Sequence, residues 1–233
     1  MAGTIYLIPT PVSDDAGIGS IAAVVRDTVL PLRHFIVEEE RTARRFLRKL
    51  DSMFPIDSST FAVYNEHSSK TDVLQFLEPL KNHDIGLMSE AGAPCVADPG
   101  AEIVAAAHKL GFTVVPLPGP SSILMALMAS GLNGQSFAFH GYLPVKKEDK
   151  DKEIRRLERE SAVQKQTKIV MDAPYRNRQL FDSLVETLSP STMLCVAYHI
   201  SSPEQYIKTI PVKDWKTKVP VFEKQPALFL FCA

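Results

Sequence analysis

Three apolar runs in the chain end on carboxylates. Glu38 and Glu39 follow "HFIV", Glu66 follows "TFAVY" within "YNEHSS", and Asp98 closes the loop "GLMSEAGAPCVADPG". A carboxylate held beside a hydroxyl can take its proton as the oxygen attacks, so Glu38, Glu39, Glu66 and Asp98 are candidate general bases, with His199 a further one. Each has a plainer reading as well. "VEEERTARRFL", residues 37–47, fits a solvated helix with acids in its first turn and bases in later turns, which complements the helix dipole. Asn65, Glu66 and His67 are equally what a chain shows where a buried strand meets a loop.

A second set of stretches offers very little side chain. In "VVPLPGPSSILMALMASGL", residues 114–132, Val114 and Val115 read as the end of a buried strand, and Pro116 and Pro118 fix φ and stop regular structure. Gly119 permits a sharp turn or a close backbone approach, and Pro120 suits the first turn of a helix whose free N–H groups Ser121 or Ser122 could satisfy. "SEAGAPCVADPG" after "IGLM" likewise exposes backbone, stiffened by Pro94, and "MDAPYRN", residues 171–177, ends another strand in small residues and a proline. Such turns at the carboxyl ends of parallel strands are where open α/β sheets bind ligands, or they are simply tight connections. The first strand-to-helix turn, "IPTPVSDDAGIGS", lacks G-x-G-x-x-G, and no G-x-x-x-x-G-K-[ST] occurs, so dinucleotide binding and P-loop hydrolysis lose their main support. Cys95, Cys195 and Cys232 form no C-x-x-C pair and the histidines show no H-x-x-x-H or H-x-x-H spacing, so no metal site is expected.

The elements that must carry these turns alternate. "TIYLIP", "HFIV", "TFAVY", "IGLM" and "FTVVPL" read as strands, with helices over 20–30, 40–50, 71–80 and 100–110 between them. That alternation predicts βαβ units and a parallel sheet in a first domain, residues 1–117. The second domain, 118–233, opens with the helix after Pro120 and continues through "FAFHGYL", a charged helix over 148–161, "KIVM", a helix over 175–188, "TMLCVAY", "YIKTI" and "PALFLFC". Strands crowd toward the end, which predicts a mixed sheet. The expected fold is two α/β domains with a cleft between them. Of the 233 residues 45% are apolar and 23% charged, ample for a core, and a net charge of −1 gives no global signature of a polyanion binder. The excess of Lys and Arg from Lys146 to Lys168 reads as an exposed helix or as a phosphate-binding surface. The N-terminus lacks signal-peptide character and no apolar run approaches about 18 residues, so a soluble cytoplasmic protein is expected.

"IYLIPTPV", "EEERTARRFL", "NEHSS", "SEAGAPCVADPG", "VVPLPGPSS", "ALMASGL", "FAFHGYLP" and "DAPYRN" stand in an order that resembles the tetrapyrrole-methylase-fold (class III) methyltransferases, in particular their members directed at ribosomal RNA. The resemblance implies S-adenosylmethionine bound in the cleft between the two α/β domains of a chain that forms a homodimer, without a metal or a membrane, and 2'-O-ribose methylation of small-subunit rRNA. It implies cofactor contacts from Pro9, Ser89, Ala91, Gly92, Ala93, Val96, Asp98, Ser121 and Ser122, completed by Tyr142, Met171, Ala173, Pro174, Ala197, Pro226 and Ala227. Glu38, Glu39 and Glu66 are then the candidate catalytic carboxylates, and Arg41, Arg44, Arg45, Lys146, Lys147 and Arg176 a basic collar for RNA. The chain departs from the family pattern at Glu90, at Ala93, at Tyr175 and over Tyr198–Ser202. The alternatives are methylation of a small molecule or protein side chain, and a non-catalytic ribosome- or RNA-binding module on the same fold.

Overall fold

The computed structural model describes residues 3–65, 67–68 and 73–233, and the chain divides into two compact units, Met1–Ser121 and Ser122–Ala233. In the first, strands β1 (Thr4–Ile8), β2 (His34–Val37), β3 (Thr60–Val63), β4 (Ile85–Met88) and β5 (Thr113–Pro116) form one sheet in the order β3-β2-β4-β1-β5, every pairing parallel. Helices α1 (Ala23–Val29), α2 (Glu40–Leu50), α3 (Val73–Leu77) and α4 (Gly100–Lys109) cover it. Because side chains alternate along a strand, Phe35 and Val37 of β2 join a core with Val25 and Val29 of α1 and Phe46 and Leu47 of α2. Ile36, between them, joins the opposite core with Leu77 of α3 and Ile103 of α4. Continuous Val, Ile and Leu runs in the inner strands are what two covered faces demand.

The route from β1 to β2 crosses β4, and the route from β4 to β5 crosses β1 in the opposite direction. The two connections therefore lie on opposite faces, one starting beyond Ile8 and the other beyond Met88. That is the topological switch point, where ligands of open α/β sheets bind.

Some local expectations are corrected. The first helix begins at Ala23, after a separate 3-10 turn over Ile18–Ser20. The described part of the helix expected over 71–80 is the short α3, followed by a 3-10 turn over Glu78–Lys81 that contains Pro79. Val114 and Val115 belong to an edge strand and are only half-buried, and Pro116 is the strand's last residue rather than a breaker that follows it. An edge strand tolerates this because a missing N–H there costs no ladder bond.

The second unit has a mixed sheet in the order β6-β7-β10-β8-β9, from β6 (Phe137–Tyr142), β7 (Thr167–Met171), β8 (Met193–Tyr198), β9 (Tyr206–Pro211) and β10 (Ala227–Cys232). Only β6 and β7 run parallel; the other pairings are antiparallel. Helices α6 (Lys147–Gln164) and α7 (Asn177–Thr187) pack on Val170, Val196 and Phe229, while α5 (Ser122–Ser130) covers Ile169, Cys195 and Leu230 on the other face. The short α8 (Val212–Trp215) buries Trp215, whose indole N–H donates to the Leu194 carbonyl at 3.0 Å. Helix α5 begins at Ser122, so Pro120 precedes it instead of opening it. No helix among the described residues is long and apolar enough to cross a membrane.

Candidate functional site

At the switch point of the first unit three turns are tied to one another. After β1, Thr10 exchanges both backbone hydrogen bonds with Gly92 of the loop after β4, at 2.9 and 3.1 Å. After β5, the Leu117 N–H donates to the Leu7 carbonyl at 3.0 Å. Gly119 then lies so close to Pro9 that a Cβ on it would sit 2.2 Å from the proline ring carbons. Gly92 has φ +76°, and a Cβ there would stand 3.4 Å from Val12 Cγ1 and 3.6 Å from the Pro120 carbonyl oxygen. Gly119 is thus required by close approach, and Gly92 by its left-handed backbone.

The loop between Ser89 and Gly100 is unusual in its own backbone. Cys95 and Ala97 both have positive φ, 67° and 64°, a conformation that persists only where the surroundings over-determine it. Asp98 provides that constraint: its Oδ2 accepts from the Cys95 N–H and its Oδ1 from the Gly100 N–H, both at 2.7 Å. Burial raises the Asp98 pKa above the ordinary range, against the lowering effect of those two N–H groups. The same burial, with Asp98 beside it, pushes the Cys95 thiol up to about 12, so it stays protonated and unreactive.

Glu38, Tyr64, Ser89, Pro94, Asp98 and Gly100 are among the residues that line a crevice beyond the carboxyl ends of β2 and β4. Glu38 is fixed at both ends, its N–H donating to the Met88 carbonyl at 3.3 Å and its Oε2 accepting from the Glu90 N–H at 3.1 Å. The Tyr64 hydroxyl donates to Glu102 Oε2 at 2.6 Å, and burial with that carboxylate pushes its pKa up to about 12. Glu39 points elsewhere. It caps α2, with Oε1 accepting from the Arg41 N–H at 2.8 Å and Oε2 from the Thr42 N–H at 2.5 Å. Bonds to Thr42 and Arg41 hold its pKa below the usual carboxylate range, which makes it a weak base. Glu66 lies outside the described residues.

The structure gathers Pro9, Ser89, Ala91, Gly92, Ala93, Asp98 and Ser121 around the linked turns; Val96, in the same loop, is 50% exposed. Thr10, only 3% exposed, and Gly119 were not singled out as ligand residues by sequence, although the proline and glycine content of their turns pointed there. Ser122 opens α5 in the second unit. There, Tyr142, Met171, Leu228 and Ala197 stand opposite one another on β6, β7, β10 and β8, one row on the face that α5 covers. Ala227, paired with Tyr198, faces the other side. Ala173 and Pro174 follow β7 in a turn that the buried Asp172 holds: its Oδ1 accepts from the Ala173 N–H and from Arg176 Nε, both at 2.8 Å. The Pro226 carbonyl accepts from the His199 N–H at 2.9 Å. His199 itself, at the head of the divergent turn, has φ 48° and is buried.

Three cations of the expected collar are engaged by carboxylates: Arg44 by Glu40 at 2.6 Å, Lys147 by Glu186 at 2.7 Å, and Arg176 by Asp172 at 2.6 Å.

The family described as tetrapyrrole (corrin/porphyrin) methylases matches residues 17–215. Among curated relatives, the ribosomal RNA small subunit methyltransferase I of Vibrio cholerae is 29% identical over 91% of this chain and 70% of its own length. The protein of the same name from Bacillus subtilis is 31% identical over 88% of this chain and 67% of its own. Among solved structures, the methyltransferase CobJ aligns with a TM-score of 0.64 at 16% identity, over 99% of this chain and 94% of that one. Uroporphyrin-III-C-methyltransferase from Thermus thermophilus aligns with a TM-score of 0.58 at 17% identity, over 100% of this chain and 93% of that one.

Proposed function

The chain belongs to the tetrapyrrole methylase family and is an S-adenosylmethionine-dependent methyltransferase, and from that premise we propose that it methylates a ribose 2'-hydroxyl of small-subunit ribosomal RNA. The observation that supports small-subunit rRNA as the substrate is the name shared by the Vibrio cholerae and Bacillus subtilis relatives, each matched along about nine-tenths of this chain; the ribose 2'-hydroxyl is what the resemblance of the sequence motifs implies. A homodimer working in the cytoplasm is part of the same proposal.

S-adenosylmethionine supplies, when bound, a methyl group activated on a sulfonium. The linked turns of the first unit fit such a group, because Gly92 and Gly119 leave backbone rather than side chain at the switch point. Asp98 turns both carboxylate oxygens into the loop, so it shapes that surface without presenting a free anion to it. Pro9, Ser89, Ala91, Gly92, Ala93, Val96 and Ser121 would hold the cofactor there. Ser122, Tyr142, Met171, Ala173, Pro174, Ala197, Pro226 and Ala227 keep the assignment that the resemblance gives them. Methyl transfer gains chiefly from alignment of donor and acceptor, and a ribose hydroxyl also needs a base as it attacks. Glu38 is the best placed of the candidate carboxylates: it lines the crevice just after β2, and the Glu90 N–H holds its Oε2 in place. Glu39 is given to the helix cap.

The test is transfer of labelled methyl from S-adenosylmethionine to small ribosomal subunits taken from a strain lacking the gene, followed by mass spectrometry of the nucleosides. One labelled 2'-O-methylated nucleoside is expected. Label in a small molecule or a protein instead would overturn the acceptor, and no binding of S-adenosylmethionine would leave only a non-catalytic module.

A further inference from the structure

The two charged helices α2 and α6 differ in charge balance. Helix α6 carries six cations and six carboxylates, so its formal charges cancel, and Lys147, Lys152 and Arg156 pair with carboxylates. Arg156 pairs with Glu153 at 2.6 Å and with Glu160, Lys147 with Asp151 at 3.6 Å, and the buried Lys168 of β7 with Glu160 at 3.2 Å. Helix α2 carries Arg41, Arg44, Arg45, Arg48 and Lys49 against Glu40 as its one carboxylate. Its apolar residues Ala43, Phe46, Leu47 and Leu50 are buried, and all five cations are exposed. Arg44 is taken by Glu40 and lies over the Phe61 ring at 5.1 Å, while Arg48 donates to the Ser52 carbonyl at 2.6 Å.

We propose that the outer face of α2 is the surface on which the RNA strand docks, with Arg41, Arg45, Arg48 and Lys49 contacting its phosphates. The proposal rests on the reading of the acceptor as RNA and deepens it. Cations recur at every turn of the helix, about 5.4 Å apart along its axis, a spacing of the same order as that of successive phosphates. Guanidinium groups suit phosphate oxygens because they bond them in pairs. The helix starts one residue after Glu39 and two after Glu38, so a strand lying on it runs toward the crevice. A chain with net charge −1 has little general attraction for a polyanion, and concentrating cations on one helix supplies it locally.

The decisive measurement is the affinity of the full protein for purified small subunits and for a 16S rRNA fragment, across a salt series. Arg45→Gln/Arg48→Gln/Lys49→Gln is expected to weaken binding roughly tenfold to a hundredfold at physiological salt. It should also lower the slope of log K against log salt by about 2 to 3, the signature of three lost phosphate contacts. Arg45→Lys/Arg48→Lys should retain most of the affinity. Lys152→Gln/Arg155→Gln/Arg159→Gln, which removes as many charges from α6, should change it less than twofold. Calorimetry with S-adenosylmethionine reports on folding, and if the triple variant does not fold, Arg45→Glu and Lys49→Glu made singly give the same reading. An unchanged salt slope in the α2 variant, or an equal loss in the α6 variant, would overturn the proposal. So would phosphatidylserine vesicles that bind the protein as tightly as RNA and lose it in the same variant. The two proposals fail differently: a wrong acceptor abolishes methyl transfer to RNA but spares salt-sensitive binding, whereas a wrong docking face leaves transfer in the α2 variant with an unchanged KM for subunits.

Discussion

At the scale of residues, two adjacent glutamates of one type have different work because the chain turns between them. Glu38 follows β2 and lines the crevice, and Glu39 caps the first turn of α2. Glu38→Gln is expected to lower kcat by about a hundredfold or more, the usual loss when a general base is removed, with S-adenosylmethionine affinity unchanged; full turnover would end its role as base. Glu39→Ala is expected to spare kcat and lower the melting temperature at pH 7. The sign with pH follows from its lowered pKa. Its contribution is complete above the ordinary value of 4.5 and is lost as the pH falls through the lower folded value. Melting temperature against pH should therefore fall less steeply in Glu39→Ala than in the native protein through that acidic window. Sequence alone could not assign these roles, because an acid at the start of a helix and an acid at the edge of a crevice look the same until the strand end is placed.

At the scale of elements, the site is a set of turns whose glycines cannot be replaced for stated reasons. Gly92→Ala must hold a left-handed backbone, at a cost of about 1–2 kcal/mol, and Gly119→Ala drives a methyl into Pro9. Both are expected to weaken S-adenosylmethionine at least tenfold by calorimetry. Gly131→Ala is the control: its φ is 68° and nothing lies within 4 Å of the added methyl, so it should be strained alike and bind normally. The sequence made much of this legible. Buried strands such as "IGLM" announce themselves by unbroken apolar runs, and prolines with glycines mark the turns that follow. What escaped it depends on pairing between distant segments. The Thr10–Gly92 bridge joins residues 82 positions apart, and the row Tyr142, Met171, Leu228 and Ala197 exists only through the register of four strands. Local composition misjudged "VVP" for the same reason: only the strand order shows that β5 is an edge, where a proline can finish a strand.

At the scale of the whole molecule, each unit has a sheet with a core on both faces, and the second can be followed by a signal of its own. The one tryptophan, Trp215, is buried in the core of the second unit, and its fluorescence reports that unit, whereas far-UV circular dichroism reports both. A ligand that binds only the folded state stabilises it by about 2.7 kcal/mol at a hundred times its Kd. For a chain of this size each kcal/mol moves the melting temperature by about 2–4 °C. S-adenosylmethionine at that excess is therefore expected to raise the far-UV melting temperature by about 5–10 °C, and Gly119→Ala to cut the shift at the same concentration to about half or less, as a tenfold or greater loss of affinity requires. The assignment of Tyr142, Met171 and Ala197 to the same cofactor makes a stricter demand, because stabilisation then has to reach the core around Trp215. Fluorescence should rise in step with circular dichroism; a shift confined to the far-UV signal would remove those residues from the cofactor site and leave it to the linked turns beyond β1, β4 and β5.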